Sequence, residues 1–442
     1  ILERANAWKK YQEEDKRQAV YDFADGYRKF LSEHKTEREC AAFFEAEAKQ
    51  AGFENLDEII ASGKTLKAGD KVYAINKKKM VAAFVIGKRP LSDGMRILGA
   101  HIDSPRLDLK QNPLYEDTDM ALLDTHYYGG VKKYQWVTLP LALHGVIVKK
   151  DGSVINVCIG EKDEEPVFGV SDLLIHLSAE QMEKKASKVI EVGSIPVESK
   201  EEKECVKANV LRILTEQYDI EEEDFLSAEI EVVPAGKARD YGFDRSMIMG
   251  YGHDDRVCAY PSFKAIAEVM DVEYTSVCLL VDKEEIGSVG ATGMESRFFE
   301  NTVAEVMALT GQTSELLLRR ALRNSKVLSS DVSAAYDPNY PSVMEKKNAA
   351  YFGRGLVFNK YTGSRGKSGS NDASAEYMAE MRKVMDDADV SFQTAELGKV
   401  DAGGGGTIAY ILGNLDMQVI DSGVAVLNMH APWEIISKVD LY

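Results

Sequence analysis

The sequence predicts an α/β protein: a three-layer αβα domain with a mixed, mostly parallel sheet, interrupted by an inserted β-rich domain. Two observations carry that reading. From about residue 247 onward, short apolar runs alternate with helical patterns, as in a parallel sheet sandwiched by helices. Between 106 and 241 the alternation gives way to a stretch rich in aromatic and β-branched residues. The length of 442 residues allows about two or three domains. The expected division is a discontinuous domain of residues 1–105 and 242–442, with 106–241 inserted.

In chain order, Ala19–Leu31 and Glu37–Ala51 read as helices. Thr36 with Glu39 makes a capping box for the second, and Gly52 stops it. Val72–Ile75 and Met80–Ile86 are strand-like, joined by the polar turn Asn76–Lys79. Arg96–Ala100 reads as a short buried strand that delivers His101 and Asp103 at its end. Within the insertion, Tyr115–Gly160 is strand-rich, with Asp151-Gly152 as a hairpin turn. A helix is expected from Ser171, another within Lys200–Tyr218, a solvated loop at Glu221–Asp224, and a strand at Ala228–Val233. After the insertion, Asp255–Met270, Arg297–Ala308, Thr313–Asn324 and Ser374–Met385 read as helices. Thr275–Val281, Val327–Asp331 and Val424–Asn428 read as strands.

Composition narrows the function. With 54 basic against 72 acidic residues the net charge is -18, which argues against nucleic acid or an anionic membrane as partner. No run approaches the roughly 18 apolar residues of a membrane span. The five cysteines, Cys40, Cys158, Cys205, Cys258 and Cys278, are odd in number and scattered, as suits reduced thiols. Ile1–Arg4 has no signal-peptide character, and a cytoplasmic protein is expected.

Polar residues with metal-binding chemistry recur at the ends of the apolar runs. His101 and Asp103 follow Ile97–Ala100, Glu284 and Glu285 follow Val277–Val281, Asp331 follows Val327–Ser330, and His430 follows Val424–Met429. Asp254 and Asp255 stand just before a helix. Singly, each has a plain structural reading: a charged turn, an N-cap, a hydrogen-bonded histidine. Together they form a mixed nitrogen and oxygen donor set suited to zinc, cobalt or manganese, too large for one tetrahedral ion and about enough for two. Two adjacent glutamates can then divide labour, one binding metal and the other moving protons.

The segments Gly99–Pro105, His253–Arg256, Asp282–Ser288, Ser330-Asp331 and Asn428–His430 resemble, in order, the motifs of the aspartyl aminopeptidase family of dinuclear zinc exopeptidases. The resemblance covers nearly the whole chain, insertion included. It implies that His101 and Asp331 complete one metal's shell, Glu285 and His430 the other's, and that Asp254 bridges both. It further implies a cis Asp254–Asp255 peptide, Asp103 holding the His101 ring, and Glu284 as general base toward a water shared by the two ions. The inserted domain would mediate dimerisation and gate substrate, in a homo-oligomer assembled as a tetrahedral dodecamer that admits short peptides. His176 would reach a neighbouring subunit's site, and Lys399 and Gly404 lie in a segment like one near the family's substrate pocket. Tyr361–Ser368 looks superficially like a phosphate loop but lacks its first glycine. A deacylase or carboxypeptidase with the same donors, or a non-catalytic scaffold, are the alternatives.

Overall fold

In the computed structural model of the chain, which describes residues 5–178, 189–197 and 203–442, the strands Met80–Val85 and Ser276–Val281 are buried almost end to end. Both their faces are covered, so neither needs polar alternation. On one face Val81, Ala83, Val85, Cys278 and Leu280 meet Tyr27, Phe30, Phe44 and Phe263 from the helices Glu14–Glu33, Glu37–Gln50 and His253–Glu268. On the other, Ala82, Phe84, Val277, Leu279 and Val281 meet Phe299, Val303 and Leu322 from the helices Phe298–Leu309 and Glu315–Arg323. Period-two alternation thus sends neighbouring residues into two cores, and the three layers follow.

The sheet has nine strands. Their order is Glu54–Asn55, Lys71–Asn76, Met80–Val85, Ser276–Val281, Arg96–His101, Lys326–Ser330, Gln418–Gly423, Leu356–Asn359, Phe392–Thr394. The central four run parallel, and Met80–Val85 and Leu356–Asn359 join them antiparallel on either side. A smaller five-stranded sheet orders Arg239–Tyr241, Met247–Gly250, Glu434–Ser437, Ala425–Leu427 and Ser333–Ala334. These elements belong to one unit, Ile1–Ser104 with Ala238–Met429 and Glu434–Tyr442.

The second unit is Pro105–Lys237 with His430–Trp433. Its six-stranded antiparallel sheet orders Val154–Ile159, Leu141–Val148, Ala228–Pro234, Arg106–Asp117, Met120–Tyr128 and Val189–Gly193. Buried Arg106 pairs with Glu231 at 3.1 Å and stacks on the Tyr128 ring, so its charge is neutralised where it is desolvated.

Several expectations change. Residues 238–241 sit with the first unit because Arg239–Tyr241 pairs with Met247–Gly250. Residues 430–433 sit with the second, where His430 Nδ1 is 2.9 Å from the Gly130 carbonyl. The expected Val424–Asn428 strand is Ala425–Leu427, and it lies in the five-stranded sheet. The main-sheet strand at that point is Gln418–Gly423, whose Asp421 and Ser422 break the apolar pattern that would have announced it. From Ser171 to Ser178 only a short turn forms, Ile175–Leu177; the remainder of the expected helix, like Ile1–Arg4, lies outside the described residues. Glu221 and Asp224 make reciprocal caps for a short 3₁₀ helix, Glu222–Ser227, in place of a solvated loop.

Candidate metal centre

Arg96–His101 runs parallel between Ser276–Val281 and Lys326–Ser330. Its last residue His101, the glutamates after Val281, and Asp331 after Ser330 therefore emerge along one edge, the carboxyl edge where α/β sheets place their ligands.

His101 is buried, with Nδ1 3.0 Å from the Asp103 carbonyl and 3.2 Å from Asp103 Oδ1. Both neighbours are acceptors, so Nδ1 carries the proton and Nε2 presents its lone pair. Around Nε2 stand Asp254 Oδ1 at 3.2 Å, Glu284 Oε2 at 3.6 Å and Asp331 Oδ1 at 3.7 Å. Nε2 makes no hydrogen bond. A buried lone pair facing three carboxylate oxygens is repulsive unless a cation lies among them, so the donor set fits a divalent metal ion. His101, Asp254 and Asp331 each offer an atom within 4.8 Å of the other two, and so do His101, Glu284 and Glu285.

The titration of these groups has the same cause. Burial opposes the charge on His101, yet the Glu284 charge, the Asp103 acceptor at Nδ1 and the Asp254 and Asp331 carboxylates facing Nε2 hold its pKa well above the ordinary value. Burial pushes the Glu284 carboxyl far up, with His101 opposing and Asp331, Asp103 and Asp254 adding to the rise. Asp331 is raised too, by burial first. Without cations such a cluster must hold protons.

The backbone aims each donor. Asp103 receives the Glu284 N–H on Oδ1 at 3.2 Å and the Glu285 N–H on Oδ2 at 3.1 Å, so one carboxylate holds the ring of His101 and the turn bearing both glutamates. The Asp254–Asp255 peptide is cis. The Ser104 hydroxyl donates to the Asp254 carbonyl at 2.6 Å, and the Asp254 N–H donates to Glu434 Oε1 at 3.2 Å. Asp255 is buried and accepts the His101 N–H on Oδ2 at 3.2 Å. Sequence reasoning assigned no role to Ser104, Asp255 or Glu434, although Ser104 and Asp255 lie inside the quoted motifs.

The other residues singled out fall elsewhere. His253 is a packing residue: Nε2 is 3.2 Å from the Ile248 carbonyl and so donates, leaving Nδ1 to accept from Tyr27 Oη at 2.8 Å. His144 is buried against Glu161 at 2.8 Å, whereas His126 is exposed. His430 belongs to the second unit. There the Gly130 carbonyl accepts from Nδ1, which makes Nε2 the basic nitrogen. His176 is exposed on the Ile175–Leu177 turn, also in the second unit. Lys399 lines a recess of about 210 Å³ with Arg365, Lys367 and Gly403, and Gly404 adjoins it.

An α/β sheet whose carboxyl edge gathers histidine and carboxylates around a buried lone pair has the donor set of the metal-dependent enzyme class. The family model described as aminopeptidase I zinc metalloprotease (M18) matches residues 30–442. A probable M18 family aminopeptidase 1 of Clostridium acetobutylicum is 64% identical over 100% of this chain and 96% of its own. The crystal structure of aminopeptidase I from that organism superposes with a TM-score of 0.93 at 62% identity, covering 100% of this chain and 97% of its own. The M18 aminopeptidase structure from Thermotoga maritima gives 0.94 at 44% identity, with coverage of 100% and 97%. The yeast mApe1 dodecamer shares the fold, at 20% identity and a TM-score of 0.76, over 95% of this chain and 94% of its own. The chain belongs to the M18 family and is a zinc-dependent aminopeptidase.

Proposed function

We propose that His101 and Asp331 hold one metal ion, Glu285 and His430 the other, and Asp254 both, with Glu284 as the general base. The observation that carries this reading is the meeting of His101 Nε2 with Asp254, Glu284 and Asp331 within 3.7 Å. When bound, two divalent ions, zinc or in its place cobalt or manganese, would lower the pKa of a shared water and polarise the scissile carbonyl. Glu284 takes the proton of the attacking water and passes it to the leaving amine. Asp103 keeps the proton of His101 on Nδ1 and holds the backbone beneath Glu284 and Glu285. Asp254, fixed through its carbonyl and its N–H, offers carboxylate oxygens toward both sides.

The substrates are short peptides with a free N-terminus. Lys399 and Gly404 line the substrate pocket, where Arg365 and Lys367 stand with Lys399 in a recess that also holds Glu396 and Asp401. The inserted unit serves dimerisation and gating, and its exposed Leu173, Leu174, Ile175 and Leu177 around His176 suit a contact with a second copy. Through that contact His176 would reach the neighbouring subunit's site, and dimers would build a tetrahedral dodecamer. The protein works in the cytoplasm; among the described residues no helix is long and apolar enough to cross a membrane, and the five cysteines are free thiols.

The test is a panel of aminoacyl-p-nitroanilides, each with a free and an N-acetylated amine, assayed with zinc, cobalt or manganese. Cleavage confined to free-amine substrates is expected. Cleavage of blocked substrates alone would make the protein a deacylase or another hydrolase, and no cleavage with any metal would make it a scaffold.

A further inference from the structure

The glycine run Gly403–Gly406 ends at Thr407, whose hydroxyl donates to Asp421 Oδ1 at 2.6 Å. Asp421 is buried in the strand Gln418–Gly423, and among the described residues Thr407 is the only side chain shown donating to its carboxyl. The next residue along, Ser422, accepts the Asp331 N–H on its carbonyl at 2.8 Å. One strand therefore holds the start of the metal-bearing Asp331 turn by its backbone and the end of the glycine run by a side chain, at adjacent positions.

The first two glycines of the run, Gly403 and Gly404, are closely fitted. Gly404 has φ +127°, and a Cβ there would come within 2.7 Å of the Ser364 nitrogen. A Cβ on Gly403 would meet the Leu397 carbonyl at 2.3 Å, and the Gly405 N–H donates to the Thr362 carbonyl at 2.9 Å. Gly406, with open space about it, is thus the one residue between the Thr407 anchor and backbone that is already held, so a displacement of Thr407 reaches the fitted glycines through a single link.

We infer that Asp421 is a positioning residue for the peptide: through Thr407 it anchors the glycine run in register with the Asp331 end of the sheet. This rests on Gly404 lining the substrate pocket. Asp421 touches neither peptide nor metal; it acts through Thr407, and breaking the link loosens the peptide's seat while the metal donors keep theirs.

The experiment compares wild type with Thr407→Val and Thr407→Ser on a free-amine tripeptide, with metal content and thermal unfolding measured alongside. A lost hydrogen bond of ordinary strength predicts that Thr407→Val raises KM about tenfold, with kcat within about threefold and bound metal unchanged. Thr407→Ser, which restores the hydroxyl, brings KM back. The Thr407 hydroxyl also accepts the Ala409 N–H at 3.3 Å. Asp421→Ala leaves that bond intact and must reproduce the rise in KM, which keeps the test decisive should Thr407→Val fold poorly. An unchanged KM in Asp421→Ala, a loss of kcat at constant KM, or failure of Thr407→Ser to rescue would overturn the inference. Wild type that cleaves no free-amine peptide would instead sink the aminopeptidase mechanism.

Discussion

Asp103 and Glu285 are joined by a hydrogen bond from the glutamate's N–H to Asp103 Oδ2 at 3.1 Å, while the other oxygen of that carboxylate faces His101 Nδ1 at 3.2 Å. Donors delivered by two different strands are thereby referenced to one buried group. Asp103→Ala should disturb the tautomer of His101 and the turn at Glu284 and Glu285 together. Loss of such an outer partner predicts a fall in metal affinity of about 10–100-fold, measured by competition with a chelator. Unaltered affinity would show that the turn holds itself.

Glu284→Gln retains the shape of the base and removes its capacity to take a proton. We expect kcat to fall by about 10²–10⁴-fold, with metal content measured by elemental analysis preserved. Near-normal turnover would reassign the base.

Gly423 tests the backbone beneath Asp331. A Cβ there would lie 1.8 Å from the Asp331 carbonyl oxygen. Gly423→Ala must push the strand end away, at a stability cost of about 1–3 kcal/mol by chemical denaturation, and should weaken metal binding with it. A variant as stable and as tightly metallated as wild type would contradict the packing described.

His253 predicts a pH dependence of stability. Burial lowers its pKa from 6.5 to about 3, against the bond to the Ile248 carbonyl and with Arg256 adding to the fall. Tyr27 and Ile248 supply its hydrogen bonds, and Glu434 adds its charge near Tyr27. The unfolded chain binds this proton and the folded chain refuses it, so the contribution is complete above 6.5 and shrinks as pH falls toward 3. The stability advantage of wild type over His253→Gln, read from urea midpoints, should therefore narrow from neutral pH down to about pH 4.5. A constant difference would mean that His253 titrates alike in both states.

Much of the centre was legible because it stands at the ends of apolar runs. Val277–Val281 and Val327 mark buried strands plainly, and the chemistry begins where they stop. Gln418–Gly423 was missed for the converse reason: its Asp421 and Ser422 are polar and buried, the first bonded on Oδ1 by Thr407 and both paired across the sheet, and period alone reads them as a break. The five-stranded sheet escaped notice because its strands are two to four residues long and come from distant parts of the chain. His253 stands beside Asp254 in the sequence, but only the fold reveals that its ring points to Tyr27 and Ile248. The supporting contacts of Ser104 and Glu434 to Asp254 depend on tertiary proximity, which no local pattern encodes.

The central claim is a pair of metal ions that share Asp254. Its most direct test is zinc stoichiometry by elemental analysis of wild type and Asp254→Ala after equilibrium dialysis against zinc. The account predicts two ions per chain in wild type and a weakening of both sites in the variant; one ion per chain in wild type, or two undiminished in Asp254→Ala, would contradict it.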